Sequence, residues 1–197
     1  VEIRSNSRLG VEGRKEAIVD AASTLVRETG LTDWTLDDVA QRAEVSRGLV
    51  YRYFPGKDAL LIALIERLSL QLRGLTADAA DRESSGEDKM RASLGAYFDY
   101  AAANPALYRA MFHGAVSGSP EVAAQRDNNL GIQRDRIVAG LTEAGVHGAL
   151  LSSGVRDWLD FMVSCTLSWL VRGAPRSQTP MALLLRTLGI VIEECST

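Results

Sequence analysis

The sequence predicts an all-α protein of about nine helices, and three observations carry that expectation. Apolar residues recur at three- and four-residue spacing nearly throughout, and no segment shows a convincing alternation of period two. Asn104-Pro105, Ser119-Pro120 and Thr179-Pro180 each place a capping side chain before a proline. Proline suits the first helical position because the N–H it lacks would be unpaired there anyway. The connections between periodic segments are short, with no repeat and no low-complexity tract.

In chain order, Ile18, Ala21, Ala22 and Leu25 line one face of a first helix, which Gly30 ends in the left-handed position after the last turn. Thr35 caps a short second helix with Leu36, Val39 and Ala40 facing inward, and Asp37 and Asp38 in the first turn suit the helix dipole. Ser46 caps a third, reaching Tyr53, and Pro55-Gly56 breaks the chain. Leu60, Leu61, Leu64, Ile65, Leu68 and Leu72 mark a long fourth helix. Residues 77–88, ADAADRESSGED, read as a polar loop, with Ser85 and Asp88 spaced as a capping box for a fifth helix that ends near Ala103. The sixth and seventh helices open at Pro105 and Pro120, the latter after the loop-like GAVSGSP of 114–120, and Gly145 and Gly148 close the seventh. The eighth spans 155–171, and the last opens at Pro180 and ends near Cys195.

Composition bounds the function. The 197 residues are 46% hydrophobic and 24% charged, ordinary for a soluble globular chain, and the formal charge is −3. The longest apolar stretch, 159–171, is interrupted by Asp160 and serines and is short for a bilayer, so no membrane partner is expected. The opening residues VEIRSNSR lack the apolar core of a signal peptide, and residues 1–10 read as a mildly basic arm carrying Arg4 and Arg8. Two isolated cysteines, Cys165 and Cys195, fit a reducing cytoplasm better than a disulfide scaffold. His113 and His147 stand far apart near helix ends, and no clustered ligand set points to a metal or other cofactor.

Against this acidic background the stretch EVSRGLVYRYFPGKDALL, residues 44–61, stands out. It holds Arg47, Arg52 and Lys57 with Tyr51, Tyr53 and Phe54, and from Val45 to Lys57 it has no acidic residue. Two short helices joined by a tight turn over 35–54 fit a helix-turn-helix, whose second helix enters the DNA major groove with its first residues nearest the bases. Val45 and Val50 then pack inward, while Arg47, Gly48, Leu49, Arg52 and Tyr53 face out. The Arg47 fork suits guanine O6 and N7, Gly48 allows close backbone approach, and Tyr51, Tyr53 and Lys57 suit phosphate oxygens. Thr35 and Ser46, at the two helix starts, complete the DNA-facing set. An amphipathic pair packed on the body, with solvated arginines, gives the same pattern.

TLDDVAQRAEVSRGLVYRYFPGKDALL closely resembles the DNA-binding end of the TetR family of transcriptional regulators. The resemblance rests on the helix-opening Thr35, Val39-Ala40, the run Ala43 to Ser46, Gly48, Val50-Tyr51, Tyr53-Phe54 and Lys57 before a leucine-rich helix. Upstream, IVDAASTLVRETGLTDWT keeps Ala21-Ala22 and Gly30 in register. The match covers the first third of the chain. The family's common turn glycine is Glu44 here, so a non-glycine residue is expected in a left-handed turn.

The resemblance implies a DNA-binding domain over 11–56 and a ligand-sensing, dimerising domain over 57–197. The eighth helix is apolar nearly all round, which calls for cover on both sides. With the last helix it would form a four-helix interface across a two-fold axis, through Cys165, Trp169, Leu184, Leu188 and Val191, although both helices could equally be core. Leu68, Tyr97, Tyr100, Tyr108, Met111, Phe112, Trp158, Phe161 and Met162 are candidates for a pocket, or plain core, and the few charges among them suggest a largely apolar small-molecule effector. The implied protein is a homodimeric repressor on a palindromic double-stranded DNA operator, not an enzyme. An activator differs only in where its operator lies. The rival class is an all-α enzyme or lipid carrier, but the sequence shows no nucleophile with its base, no paired carboxylates in an apolar setting and no glycine-rich phosphate loop.

Overall fold

The computed structural model describes residues 10–31, 33–113 and 118–196. Among them the regular structure is nine α-helices and one 3-10 turn: α1 (Val11–Thr29), α2 (Leu36–Arg42), α3 (Arg47–Tyr53), α4 (Lys57–Asp81), α5 (Gly86–Ala103), α6 (Pro105–Phe112), α7 (Pro120–Glu143), α8 (Leu151–Val171), the 3-10 turn Arg176–Gln178, and α9 (Met181–Cys195). The expected basic arm, with Arg4 and Arg8, lies outside the described residues except for Gly10, as does most of the loop 114–120. No helix of the described residues is long and apolar enough to cross a membrane.

The starts of α2, α3, α5 and α7 follow the capping chemistry, whereas α9 opens at Met181 with no side-chain cap, so the cap expected from Thr179 is not made. The Asp38 N–H donates to Thr35 Oγ1 at 3.2 Å and the Thr35 N–H donates back to Asp38 Oδ2 at 2.7 Å, a reciprocal box at the start of α2. Ser46, Ser85 and Ser119 accept from the N–H groups of Leu49, Asp88 and Val122 at 3.3, 3.1 and 3.2 Å. Gly30 (φ +83°) closes α1, its N–H donating to Val26 O at 3.0 Å.

Three further elements differ from expectation. α4 runs on to Asp81 through the segment that reads as a loop, leaving only residues 82–85 as the connection to α5. Three alanines among residues 77–80 and 81 favour helix whatever their polarity pattern, and Thr76 turns its hydroxyl onto the Arg73 carbonyl at 3.1 Å. α8 begins at Leu151, four residues before the expected start. Gly154 lies inside it because α9 passes close: a Cβ there would sit 2.7 Å from Cys195 Sγ and 2.9 Å from Val191 Cγ1. On α1, Val26 is buried and Leu25 only partly so.

The chain forms two compact units, Val1–Leu68 with Ala106–Val122, and Ser69–Pro105 with Ala123–Thr197, so the boundary falls within α4. In the first, α1 packs on α2 and α2 on α3, and Ile18, Ala22, Val39, Val50, Leu60 and Ile65 are fully buried. In the second, α8 packs on α9 and α5 on both. Phe98 meets Trp169 edge to face at 5.6 Å, and the Trp158 indole N–H donates to Leu184 O at 3.0 Å.

Candidate nucleic-acid interface

The turn between α2 and α3 is set by backbone bonds: Ala43 N–H donates to Val39 O, Glu44 N–H to Gln41 O, and Val45 N–H to Ala40 O at 2.9, 3.2 and 3.0 Å. Glu44 adopts φ +54°, the left-handed conformation expected for this turn. That geometry costs a non-glycine residue roughly 1 kcal/mol. It is held by the packing on either side, because Val39, Ala40 and Val50 are buried and Phe54 is 3% exposed.

With Val50 and Phe54 turned inward, α3 presents the opposite face to solvent. Ser46, Arg47, Gly48, Tyr51 and Arg52 are exposed, and Leu49 and Tyr53 are half-buried. Among the described residues nothing lies within 4 Å of where a Gly48 Cβ would stand, so none of them demands glycine there. The helix gives up about 0.5–1 kcal/mol and gains a surface on which another molecule can approach the backbone. Asp37 Oδ2 stands 3.0 Å from Arg47 Nη2. The partner of Arg47 thus lies on the preceding helix.

Lys57 is the residue whose surroundings differ most from expectation. Its Nζ donates to the Trp34 carbonyl at 2.9 Å and lies 4.2 Å from the centre of the Trp34 ring, and Trp34 is itself buried. The ammonium thus ties the loop before α2 to the start of α4, a role that sequence spacing did not show. Thr35 is engaged in its cap, and the hydrogen bonds from its hydroxyl and N–H hold the Asp38 carboxyl below its ordinary value. The cap is therefore intact at neutral pH and is lost as acid protonates Asp38.

The remaining candidates divide between the units. Leu68, Tyr108 and Met111 are buried and Phe112 half-buried in the first; Tyr97, Trp158 and Met162 are buried, Tyr100 is half-buried and Phe161 is exposed in the second. The Trp158 indole N–H is already committed to the α9 backbone, so Trp158 serves α8–α9 packing. The five interface candidates sit differently within the subunit. Trp169, Leu184 and Leu188 are buried within the subunit, and Val191 lies against Gly154; of the five, Cys165 is half-exposed and its thiol is pushed up by burial. Helical periodicity shows that a face is apolar but not which side the subunit itself covers. Sequence reasoning also missed Arg73, which donates to Asn129 Oδ1 from α4 to α7 within the second unit. A lone arginine beside a leucine stripe reads as solvated, and no sequence signal marks its partner 56 residues away.

Residues 18–64 match the family described as bacterial regulatory proteins, tetR family. Over 175 residues the chain is 27% identical to the transcriptional activator FasR of Mycolicibacterium smegmatis, covering 80% of this chain and 77% of that protein. A TetR-family regulator from Streptomyces coelicolor superimposes with a TM-score of 0.68 at 28% identity, over 93% of this chain and 80% of that one. The regulator FadR from Bacillus subtilis, solved in complex with stearoyl-CoA, shares the fold with a TM-score of 0.67 at 17% identity, over 90% and 97% of the two chains. The matched segment contains the capped α2, the left-handed turn and the exposed face of α3. Residues 18–64 carry the helix-turn-helix DNA-binding domain of TetR-family transcriptional regulators.

Proposed function

We propose that the protein acts as a homodimer that sets α3 of each subunit into the major groove of one half of an inverted-repeat operator, and that a small, largely apolar molecule bound in the second unit releases it. It represses wherever that operator overlaps a promoter. The observation that carries the reading is the two-sided character of α3: Val50 fully buried, with Arg47, Gly48, Tyr51 and Arg52 exposed together on the other side. Arg47 then reads a base, Tyr51 and Tyr53 meet phosphates, and Thr35 and Ser46 bring their helix starts to the backbone.

The dimer face moves with the burial pattern. On α8, Phe161, Ser164, Ser168 and Val171 are exposed at spacings of three and four residues; on α9, Leu183 and Ile190 are exposed two turns apart. These residues, not the buried ones, are offered to a second subunit. For the effector, buried Tyr97 and Met162 in the second unit favour an apolar body. The stearoyl-CoA held by the Bacillus subtilis relative makes long acyl compounds the first class to titrate. Release requires that the effector bind the DNA-incompetent form more tightly, and DNA must then weaken the effector by the same factor.

Arg52→Glu tests the placement of α3. Arg52 is exposed, so the variant is expected to melt with the wild type, yet to bind every duplex at least about tenfold more weakly because an anion replaces a cation beside phosphates. Fluorescence anisotropy on labelled duplexes measures this, and undiminished binding would take α3 out of the groove.

A further inference from the structure

Asp37 is the second residue of α2 and Arg47 the first of α3, and their side chains meet across the turn with Oδ2 3.0 Å from Nη2. The arginine is 73% exposed and the aspartate 36%. Asp37 is not needed for the cap of its own helix, which Thr35 and Asp38 make. A pair this exposed adds little to stability. Its consequence is conformational. A solvated arginine samples many rotamers and must give them up to bind a base; a partner that holds the guanidinium beforehand removes part of that cost. Nη2 carries two hydrogens, one on each donor edge of the guanidinium. Whichever Asp37 takes, the other edge keeps two parallel donors, the number that guanine O6 and N7 accept. The carboxylate also acts against error: if Arg47 swings away to a phosphate, Asp37 loses its partner and stands unneutralised beside the DNA backbone.

We propose that Asp37 is a positioning residue that sets base preference through Arg47, holding the guanidinium in its reading geometry and penalising sites that offer no guanine there. The inference rests on the proposed reading of α3 as the helix in the groove. Its test is binding of the wild type, Asp37→Asn, Asp37→Glu, Arg47→Ala and the double variant Asp37→Asn/Arg47→Ala to a panel of single-base operator variants at fixed salt. Asp37→Asn is expected to fold as the wild type does and to lose about threefold to tenfold of discrimination at the same base pair that Arg47→Ala relaxes. Its affinity for random duplex should rise, Asp37→Glu should restore part of the preference, and the double variant should rank the panel as Arg47→Ala does. If Asp37→Asn binds every sequence more tightly by one common factor and keeps the wild-type ranking, Asp37 contributes only charge and the inference is overturned. If Arg47→Ala itself keeps the ranking everywhere, the reading beneath the inference fails first, and the two failures are told apart.

Discussion

Arg47→Ala is expected to cost about 1–3 kcal/mol of binding on the best operator and to relax preference at one symmetric pair of positions, a G·C pair in each half-site. The expectation follows from where the side chain starts. Arg47 opens α3 directly after the Ser46 cap, at the end of the helix that stands nearest the base edges when such a helix enters the groove. Its guanidinium is exposed and, among the described residues, tied to one Asp37 oxygen, leaving donors for two parallel hydrogen bonds. A phosphate contact from the same residue would lower affinity on every sequence alike, because phosphates position a protein without reporting sequence. Binding to single-base operator variants separates the two. A uniform loss would move specificity to Leu49, Arg52, Tyr53 or the shape of the DNA.

The second large effect concerns two neighbouring residues of α9 with opposite surroundings. Leu188 is 6% exposed and Ile190 is 57% exposed. Leu188→Glu buries a carboxylate among apolar side chains and is expected to cost on the order of 4 kcal/mol, a large share of the roughly 5–15 kcal/mol that holds a domain folded. It should lower the melting temperature and give aggregates. Ile190→Glu places the same charge where water reaches it, so the subunit should keep its melting behaviour. If the exposed faces of α8 and α9 meet those of a second subunit, Ile190→Glu should yield folded monomers by light scattering, with weakened operator binding. A folded, fully dimeric Ile190→Glu would place the interface elsewhere.

This contrast marks the limit of what the sequence conveys. The helix count, the Thr35, Ser46 and Ser85 caps, the Gly30 stop and the left-handed Glu44 are local matters of backbone chemistry, and each is legible from a few adjacent residues. The inward Val50 and outward Arg47 and Arg52 follow from helical periodicity alone. What escapes is pairing at a distance. Nothing near Lys57 shows that Trp34 will lie beneath its ammonium, and nothing near Leu184 shows that Trp158 will bond to its carbonyl. The reach of α4 to Asp81 was hidden for another reason: polarity in an alanine-rich segment signals an exposed helical face as readily as a loop.

Selection of bound duplexes from random DNA tests the central claim most directly. The account predicts enrichment of one inverted repeat, with two equal half-sites bound by two subunits and a G·C pair in each half whose preference depends on Arg47. No enriched sequence, or a single half-site bound by one subunit, would contradict it.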